Sequence, residues 1–594
     1  MKISTFLALA MTLSGLWVGC GGSDGPTTPD AAIADTGADA LDDGVAKDQV
    51  PPTDVPADAL PEGSPEVSPD PGPGEVAPDL VAPEASPDVV QPDVDCDASY
   101  PDRTVGVRLC KPGVEGGYVL YPHKHRGEVY LVDRMGRVVH QWSKSQYEPG
   151  QSCYLRPDGN LVRAAMVKGA SNIGGGEGGR IEEYDWDDNL VWSFNYASND
   201  ACTHHDFKIL PNGNLLMLAV ERKTAEEAGA VGFDTTKLQD GYVAPEMLIE
   251  VKKTGPTGFE IVWEWHVWDH LVQGKNAALA NYGDPAQYPG RLQVNGGAPA
   301  FWNHANSVDY NPDLDQIVIS ARSHNELWVI DHGTTTAEAA SHEGGPYQKG
   351  GDFLYRWGNP QEYGAGTAAD RMLFNQHDVQ WIVPGLPGAG HLLIFNNGLD
   401  RPGGSYSSLD ELIPAVQADG SYPALAKGEA WGPSSLVWTF VGTPPSSFYG
   451  SEISGTQRLP NGNTLACEGT TGRFFEVTAA GEPVWEYVNP VANARPMAQY
   501  ELASLDPKGH PENAVFKIHW YSADFSGFAG RDLTPGDVLE TGVTACPVDN
   551  PSYTCKAATD CSAAGGQDVS DHFTCASGGA CCQKLVQGAP PPKP

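Results

Sequence analysis

Three short stretches of the sequence carry histidine at the head of an apolar run. They are Thr203–Phe207 with His204 and His205, Asn303–Asp309 with His304, and Phe374–Gln380 with His377. A neutral imidazole is a nucleophile and a proton carrier near pH 7, and it is also a common metal ligand. If the fold brings these stretches together, they predict a nucleophilic, acid–base or metal-binding site.

Two repeated patterns indicate the fold that would position them. An apolar residue followed by alternating aromatic residues occurs six times, at Val139–Trp142, Val191–Phe194, Val262–Trp265, Leu354–Trp357, Val437–Phe440 and Val484–Tyr487. Asn-Gly or Asp-Gly hairpins separate apolar runs at Leu155–Leu161, Leu210–Leu215 and Leu459–Leu465. Each unit therefore suggests four strands, at periods of about fifty to ninety residues, which is typical of a propeller. We predict an all-β, six-bladed β-propeller over residues 102–535.

The first aromatic strand has no complete unit before it. Ala514–Tyr521 is predicted to supply the missing strand and close the ring. A β-sandwich, or two smaller β domains, is the alternative fold. In a propeller the first strand of each blade lines the central channel, which would bring His205, His304 and His377 to one axis. Two serines occupy the corresponding places in other blades, Ser152 and Ser454.

The composition narrows the class of protein. The 594 residues include 69 Gly and 49 Pro but only 19% charged residues, which favours strands and tight turns. The formal charge of -39 argues against nucleic-acid binding, because phosphate backbones require a basic surface. Much of this charge lies in residues 20–95, a Pro-, Asp- and Ala-rich linker without aromatic residues. Such a segment cannot bury enough apolar surface to fold, so we predict a disordered acidic stalk.

The N-terminus is typical of an exported protein. Met1-Lys2-Ile3 and the apolar run Thr5–Val18 precede Gly19-Cys20. Residues 1–19 are predicted to be a lipoprotein-type signal peptide, with Cys20 lipidated, and the alternative is ordinary secretory cleavage nearby. We therefore expect lipid anchoring to a bacterial membrane, on the periplasmic or the cell-surface side of an outer membrane, and no other association with the membrane.

Export permits disulfide bonds. Six cysteines crowd residues 545–583, and we predict a small cysteine-rich module with three disulfides whose connectivity the sequence leaves open. A zinc site is less favoured there because the spacing lacks paired CxxC knuckles. Cys96 and Cys110 flank the start of the folded region and are a candidate pair.

The sequence resembles the bacterial arylsulfotransferase family from about Thr104 to Gly530. The resemblance rests on three motifs, Asn303–Ser307, Ile317–Arg322 and Asn375–Asp378, and on the opening and closing stretches Gly117–Trp142 and Phe516–Arg531. It implies a six-bladed propeller. It also implies sulfuryl transfer from a phenolic sulfate ester to a phenol through a sulfohistidine, without the nucleotide sulfate donor PAPS. The expected partners are small aryl sulfates and phenols, and no cofactor or metal is implied.

The resemblance also assigns roles to individual residues. His377 matches the nucleophile that becomes sulfated, and His304 and Arg322 match the pair that contacts the sulfuryl oxygens. Asn306 matches a neighbouring polar contact. The family's further histidine is His204 or His205, with strand register favouring His205, and we add Ser454 as a substrate-binding candidate from its place in the repeat.

The chemistry suits these residue types. The transferring group carries negative charge, so a cationic arginine and hydrogen-bond donors must face it. A second histidine can protonate the departing phenolate. An aryl acceptor favours an aromatic mouth, for which the candidates are Trp302, Tyr355, Phe374 and Tyr449.

Three other functions are compatible with the sequence. One is a non-catalytic propeller displayed at the surface as a binding or scaffold module, since fold alone does not determine function. Another is a metal-dependent hydrolase that uses the three histidines with Asp206 or Asp378. Arg322 would be a poor neighbour for a cation in that case. The last is a quinone-cofactor dehydrogenase, which the predicted number of blades and the histidine set fit poorly.

Overall fold

The computed structural model describes residues 94, 96, 98–168, 176, 178–238, 240–297, 302–492, 495–506, 509–542 and 545–584. The predicted signal peptide, Cys20 and the predicted stalk as far as residue 93 lie outside the described residues. Within the described ranges, no helix is long and apolar enough to cross a membrane.

Strands dominate the described chain, and its three α-helices are short: α1 (Ala225–Ala230), α2 (Thr336–Ala339) and α3 (Ala558–Ala563). The strands of the first half are β1 (Ala98–Ser99), β2 (Gly106–Cys110), β3 (Tyr118–Pro122), β4 (Val129–Asp133), β5 (Val138–Trp142), β6 (Pro149–Leu155), β7 (Leu161–Met166), β8 (Gly179–Tyr184), β9 (Leu190–Asn195), β10 (Ala201–Ile209), β11 (Leu215–Glu221), β12 (Lys223–Thr224), β13 (Tyr242–Val243), β14 (Glu246–Lys253), β15 (Phe259–His266), β16 (Leu271–Val272) and β17 (Leu292–Gln293).

The strands of the second half are β18 (Ala305–Asn311), β19 (Gln316–Ala321), β20 (Glu326–Asp331), β21 (Tyr355–Trp357), β22 (His377–Trp381), β23 (Leu392–Asn396), β24 (Ser408–Leu412), β25 (Trp438–Val441), β26 (Gly455–Arg458), β27 (Thr464–Glu468), β28 (Arg473–Val477), β29 (Pro483–Val488), β30 (His519–Tyr521), β31 (Tyr553–Lys556), β32 (Gly566–Asp568) and β33 (Ala580–Lys584).

Six antiparallel sheets of four or more strands contain most of these strands. We number them sheet 1 (β30-β3-β4-β5), sheet 2 (β6-β7-β8-β9), sheet 3 (β10-β11-β14-β15), sheet 4 (β18-β19-β20-β21), sheet 5 (β22-β23-β24-β25) and sheet 6 (β26-β27-β28-β29), each from its innermost strand outwards. Strands β2 and β1 extend the outer edge of sheet 6.

The six sheets follow one another in a closed ring, as in a β-propeller. The innermost strands of sheets 2 to 6 contact one another in order, and β6 of sheet 2 contacts sheet 1 through β3 and through the rings of Tyr154 and His519. Gln457 of β26 and Trp520 of β30 close the circle with two hydrogen bonds between the Gln457 side chain and the Trp520 backbone. One cluster of buried apolar side chains fills the space between each neighbouring pair of sheets, six clusters in all within the described residues. The hydrophobic core is therefore a ring of six interfaces around an axis.

The predicted closing strand is confirmed. Strand β30, from the end of the ring-forming sequence, pairs with β3 and becomes the innermost strand of sheet 1. One sheet thus joins the two ends of the ring-forming chain.

The six aromatic repeats form the fourth strands of the six sheets, counted from the innermost strand. In each, an indole N–H donates to a backbone carbonyl in the next sheet's loop between third and fourth strands: Trp142 to Asp185 (2.9 Å), Trp192 to Gly258 (3.1 Å), Trp265 to Gly351 (2.8 Å), Trp357 to Pro433 (2.8 Å), Trp438 to Ala479 (2.9 Å) and Trp485 to Arg134 (2.7 Å). Five of these tryptophans are buried and Trp438 is half-buried; a buried indole needs a hydrogen-bond acceptor, and the neighbouring sheet supplies it each time. This indole ring explains why tryptophan recurs at that place in the sequence.

Non-glycine residues with positive φ interrupt the inner ends of five sheets. They are Gln151 (98°), His205 (47°), His304 (47°), Asp378 (51°) and Ser454 (90°). In sheets 2 to 5 the register between the first and second strands shifts at or beside this residue, as in a β-bulge. A bulge re-aims side chains, and bulges are common next to active sites.

The C-terminal residues form a small disulfide-linked unit. Strands β31, β33 and β32 make one sheet with α3 beside it, and Cys546–Cys581, Cys555–Cys575 and Cys561–Cys582 are paired. Cys96 pairs with Cys110, which ties β1 to β2. The predicted disulfides are therefore present, with the connectivity that the sequence left open now assigned.

Candidate active site

Three neighbouring sheets bring the predicted histidines together. His205 lies in β10 of sheet 3, His304 immediately precedes β18 of sheet 4, and His377 begins β22 of sheet 5. The ring centroids of His205 and His304 are 5.0 Å apart. Burial lowers the pKa of His205 well below its ordinary value, and nearby His304, His377 and Arg322 lower it further. The ring of sheets thus collects all four side chains at one end of the innermost strands.

Asn397 determines which nitrogen of His377 carries the proton. The Asn397 amide nitrogen donates to the carbonyls of Gly450 (2.7 Å) and Ile453 (3.0 Å), so its oxygen faces His377 Nδ1 at 2.8 Å. An amide oxygen only accepts, which requires the proton on Nδ1. Nε2 is then left unprotonated.

The surroundings keep His377 uncharged at neutral pH. Burial and the Arg322 guanidinium lower the pKa of His377 to about 3, and the hydrogen bonds to Asn397 and the Asn375 carbonyl only partly oppose this. An imidazole with such a pKa is neutral near pH 7 and has a lone pair available on Nε2. This is the state that nucleophilic catalysis requires.

Arg322 offers a positive charge without a fixed partner. It begins the 3-10 turn Arg322–His324 between β19 and β20, where its backbone N–H donates to the His304 carbonyl at 3.2 Å. The ion pairs among the described residues do not include Arg322. Burial lowers the pKa of its half-buried guanidinium, and the charge of Glu452 only partly opposes this. An unpaired, partly desolvated guanidinium beside three neutral histidines favours an anionic ligand.

Hydrogen bonds connect His205 to a second histidine, His204, and through it to the carboxylate of Glu246. Glu246 Oε2 lies 2.8 Å from His204 Nε2, and His204 Nδ1 lies 2.7 Å from His205 Nδ1. Glu246 Oε1 also accepts from the backbone N–H of Ala305 at 2.7 Å, next to His304. The sequence left open whether His204 or His205 lines the site. In the structure, the His205 ring packs against His304, and His204 connects it to Glu246.

The family follows from the sequence comparison. The model of the arylsulfotransferase (ASST) family matches residues 115–510, about two-thirds of the chain. The chain belongs to this family. The match covers all of the site residues described above, and the predicted family is confirmed. Members of an arylsulfotransferase family act on aryl sulfates, which agrees with an anion site beside a neutral histidine.

Several solved structures match this chain at low sequence identity and with low TM-scores. A protein of unknown function from Bacteroides caccae has a TM-score of 0.35 and 10% identity, over 68% of this chain and 98% of its own. The Cps50 (Swd1) β-propeller domain from Myceliophteria thermophila has 0.31 and 11%, over 65% and 90%. Virginiamycin B lyase from Staphylococcus aureus has 0.29 and 9%, over 64% and 86%. These TM-scores are too low to carry a conclusion about this chain, and no curated protein matches its sequence.

Two other predicted residues of this arylsulfotransferase hold the backbone around the site. The Asn306 amide nitrogen donates to the Gln376 carbonyl at 2.8 Å, which joins β18 to the residue before His377. Its buried oxygen has no hydrogen-bond partner among the described residues. The Ser454 hydroxyl is fully buried, donates to the Glu452 carbonyl at 3.2 Å and accepts from Gly469 N–H at 3.0 Å. Ser454 therefore contacts backbone groups.

The sequence analysis did not identify Lys517 as part of the centre. Its ammonium lies 2.7 Å from Asp206 Oδ2 and 3.2 Å from Asp378 Oδ1, so it joins sheets 3 and 5 to the segment before β30. Burial lowers the pKa of Lys517, but the two carboxylates outweigh it and raise the pKa above its usual value. Because Asp206 follows His205 and Asp378 follows His377, this network holds two site strands in place. The repeated His-Asp pair was the sequence pattern that could have identified this network.

The same network weighs against a metal centre in the arylsulfotransferase site. Asp206 and Asp378 were the carboxylates available to a metal-dependent hydrolase, and both contact the Lys517 ammonium instead. Within the described residues, the clusters with metal-ligand geometry lie elsewhere, and neither includes His205, His304 or His377.

The expected aromatic mouth is only partly present. Trp302 and Tyr355 are buried in the clusters between sheets, and the Tyr355 hydroxyl donates to the Gly432 carbonyl. Phe374 lies three residues before His377, and the guanidinium of Arg371 covers its ring at 4.3 Å from the centroid. The prediction was wrong for Trp302 and Tyr355, because aromatic residues in repeats pack against the neighbouring sheet.

Proposed function

We propose that this protein transfers a sulfuryl group from an aryl sulfate ester to a phenol through His377, without PAPS. The observation that carries the proposal is the state of His377. Its ring is neutral, Asn397 holds the Nδ1 proton, and Nε2 is unprotonated beside the Arg322 charge. Family membership supports the reaction class, and this geometry supports the choice of nucleophile.

In the first half-reaction, the Nε2 lone pair attacks the sulfur of the donor. The Nε2–S bond forms as the bond from sulfur to the aryl oxygen breaks, and that electron pair leaves with the phenolate. His205 delivers its ring proton to the phenolate oxygen and takes up a proton on Nδ1 from His204, so His205 stays neutral and the His204–Glu246 pair is left with one proton fewer. In the second half-reaction, the incoming phenol returns this proton to His205 as its oxygen attacks the sulfur. The Nε2–S bond breaks and free His377 is regenerated, which predicts ping-pong kinetics.

Arg322, with His304, would hold the sulfuryl oxygens during both steps. A guanidinium donates two parallel hydrogen bonds to oxyanions, and partial burial strengthens such bonds relative to water. The Asn306 oxygen, unpartnered among the described residues, can accept from the acceptor hydroxyl. These roles follow the arrangement of the side chains and the resemblance together.

We also propose how the domain that carries the site is built and attached to the membrane. The six sheets act as the blades of a six-bladed propeller, and a disordered stalk joins it to lipidated Cys20 on a bacterial membrane. The stalk and the anchor rest on the sequence pattern of residues 1–95 alone. Metabolic labelling with a palmitate analogue, with Cys20→Ser as control, would test the anchor.

The decisive experiment follows 4-nitrophenol release from 4-nitrophenyl sulfate with phenol as acceptor. We expect release in the wild type that a chelator does not affect, and its loss in His377→Ala. Rapid quench should yield a sulfated peptide that contains His377. His342→Ala, which alters an exposed histidine outside the site, is the matched control. A wild type with no release for any phenol would contradict the proposal and favour a scaffold, whereas chelator-sensitive release would favour a hydrolase.

A further inference from the structure

A polar cavity of about 570 Å³ opens next to the catalytic centre. Its lining residues come from the loops of sheet 4 and the segments that flank it: Gln293, Asn295, Gly296, Gly297, Ser323, Asn325, Asn359, Gln361, Glu362 and Arg371. Cavities of about 300 to 1,000 Å³ are the size that small ligands occupy in proteins. Its volume therefore suits one small organic group.

The cavity is joined directly to the reacting residues. Ser323 and Asn325 belong to the same turn as Arg322, and the Asn325 side-chain oxygen accepts from the backbone N–H of Asn375 at 2.8 Å. Asn375 lies two residues before His377. A ligand held here would thus lie beside the sulfuryl site.

A second chain of contacts forms the wall between the cavity and His304. Asn303, the residue before His304, lies 3.3 Å from His324 Nε2 through its amide nitrogen. His324 Nδ1 lies 2.9 Å from Glu362 Oε2 at the cavity surface. This wall separates the lining from the anion site but keeps the two adjacent.

The lining is suited to hydroxyl groups and poorly suited to a bare aromatic ring. Five of the lining side chains are amides, and Trp302 and Tyr355 are buried in the core instead. Asn359 is only 7% exposed and donates to the His324 carbonyl at 3.1 Å. Its buried side-chain oxygen has no hydrogen-bond partner among the described residues. A buried acceptor without a partner costs free energy, which a ligand hydroxyl would recover.

We propose that this cavity binds a hydroxyl-rich substituent of the acceptor, so that the acceptor is a phenolic glycoside. Sugar hydroxyls both donate and accept, as side-chain amides do, and this match favours a glycosyl group over an alkyl or aryl one. The inference rests on the proposed function for the transfer step. Binding of the unsulfated glycoside tests the cavity independently.

The experiment uses 4-hydroxyphenyl β-glucoside and 4-methoxyphenol, which share the phenol but differ in the sugar. With 4-nitrophenyl sulfate as donor, kcat/KM for the glucoside should exceed that for 4-methoxyphenol by about tenfold or more, the effect of one or two hydrogen bonds. Asn359→Leu and the exposed Gln361→Ala should bring the ratio towards one, and His342→Ala should leave it unchanged. Because Gln361 is exposed, its substitution tests the cavity even if Asn359→Leu misfolds.

Calorimetric binding without donor separates the two proposals. Glucoside that binds at least tenfold more tightly than 4-methoxyphenol, and less tightly to the two variants, supports the cavity even if no sulfuryl group is transferred. Equal binding of the two phenols overturns the inference, even if transfer and a sulfated His377 are observed.

Discussion

Asn397 determines the tautomer of the proposed nucleophile, His377. It holds the Nδ1 proton of His377 and so leaves Nε2 available. In Asn397→Ala this acceptor is lost, the imidazole can carry its proton on Nε2, and the ring is no longer held in one plane. We expect kcat/KM for 4-nitrophenyl sulfate to fall while the protein still folds.

The size of the effect follows from two terms. Loss of the Nδ1 hydrogen bond is worth about 0.5–1.5 kcal/mol, or roughly 2- to 13-fold in the population of the reactive tautomer. Displacement of the ring from its attacking position costs up to about 100-fold. Together they predict a loss of about 2-fold if the ring keeps its position and up to about 1,000-fold if it is displaced, short of the complete loss in His377→Ala. The carbonyls of Gly450 and Ile453 also lose donors, so stability should fall by about 1–3 kcal/mol.

Asn397→Asp is the informative companion variant. A carboxylate also accepts from Nδ1–H, so the reactive tautomer persists, but its negative charge favours the imidazolium and raises the pKa of His377. The activity of this variant should decline at a higher pH than that of the wild type as the solution is acidified. Stopped-flow measurement of the 4-nitrophenol burst reports the sulfation step, and nitrogen NMR shifts of the histidine report the tautomer. Wild-type burst rates in Asn397→Ala, or a His377 protonated on Nε2 in the wild type, would refute the reasoning.

Four further predictions concern the surrounding groups. Arg322→Lys should lower kcat by about 100- to 1,000-fold, measured by nitrophenol release, because one ammonium cannot replace a bidentate guanidinium at a developing oxyanion; a loss below fivefold would contradict it. Glu246→Gln should slow transfer from phenyl sulfate more than from 4-nitrophenyl sulfate, because only the poorer leaving group needs a proton; equal slowing would argue against the relay. Lys517→Met should destabilise folding by about 3–5 kcal/mol in urea denaturation, since it leaves two buried carboxylates unpaired, and an unchanged midpoint would be inconsistent with the network. His377 has a pKa of about 3 in the folded protein against an ordinary 6.5, so between these values the folded state binds fewer protons than the unfolded state. The contribution of His377 to the free energy of unfolding is therefore complete above pH 6.5 and should be smaller by about 2 kcal/mol at pH 5, as measured by denaturant titration. The rate of the sulfation burst should stay constant from pH 7.5 to 5, because His377 remains neutral over this range.

The repeated elements of this protein could be predicted from its sequence. The aromatic repeats, the Asn-Gly hairpins and the closing strand each carry a local signal, because strand period and turn chemistry are properties of neighbouring residues. The placement of His205, His304 and His377 on innermost strands followed from those repeats. Their register was predictable to within a residue, although the bulges were not.

The groups that control the histidines carried no such signal. Asn397 follows β23 in Asn396-Asn397-Gly398, a typical turn sequence, and Glu246 simply begins β14. Lys517 lies 311 residues from the aspartate that it contacts most closely. Each meets its partner only because sheets pack side by side in the ring. Local patterns cannot report contacts that ring closure creates. The same reason explains why Trp302 and Tyr355 proved to be core residues.

The closing strand has a consequence for the biogenesis of this arylsulfotransferase. Strand β3 emerges early during synthesis, but its inner neighbour β30 lies about four hundred residues later, and the last indole bond of the ring, from Trp485 to Arg134, also waits for the late part of the chain. Until then β3 is an open edge, able to pair with any other exposed strand, which is a known route to aggregation. A chain truncated before residue 517 would lack both Lys517 and the innermost strand of sheet 1. Synthesis of residues 517–521 is thus coupled to assembly of the catalytic centre, and a chain that ends before them has no finished site.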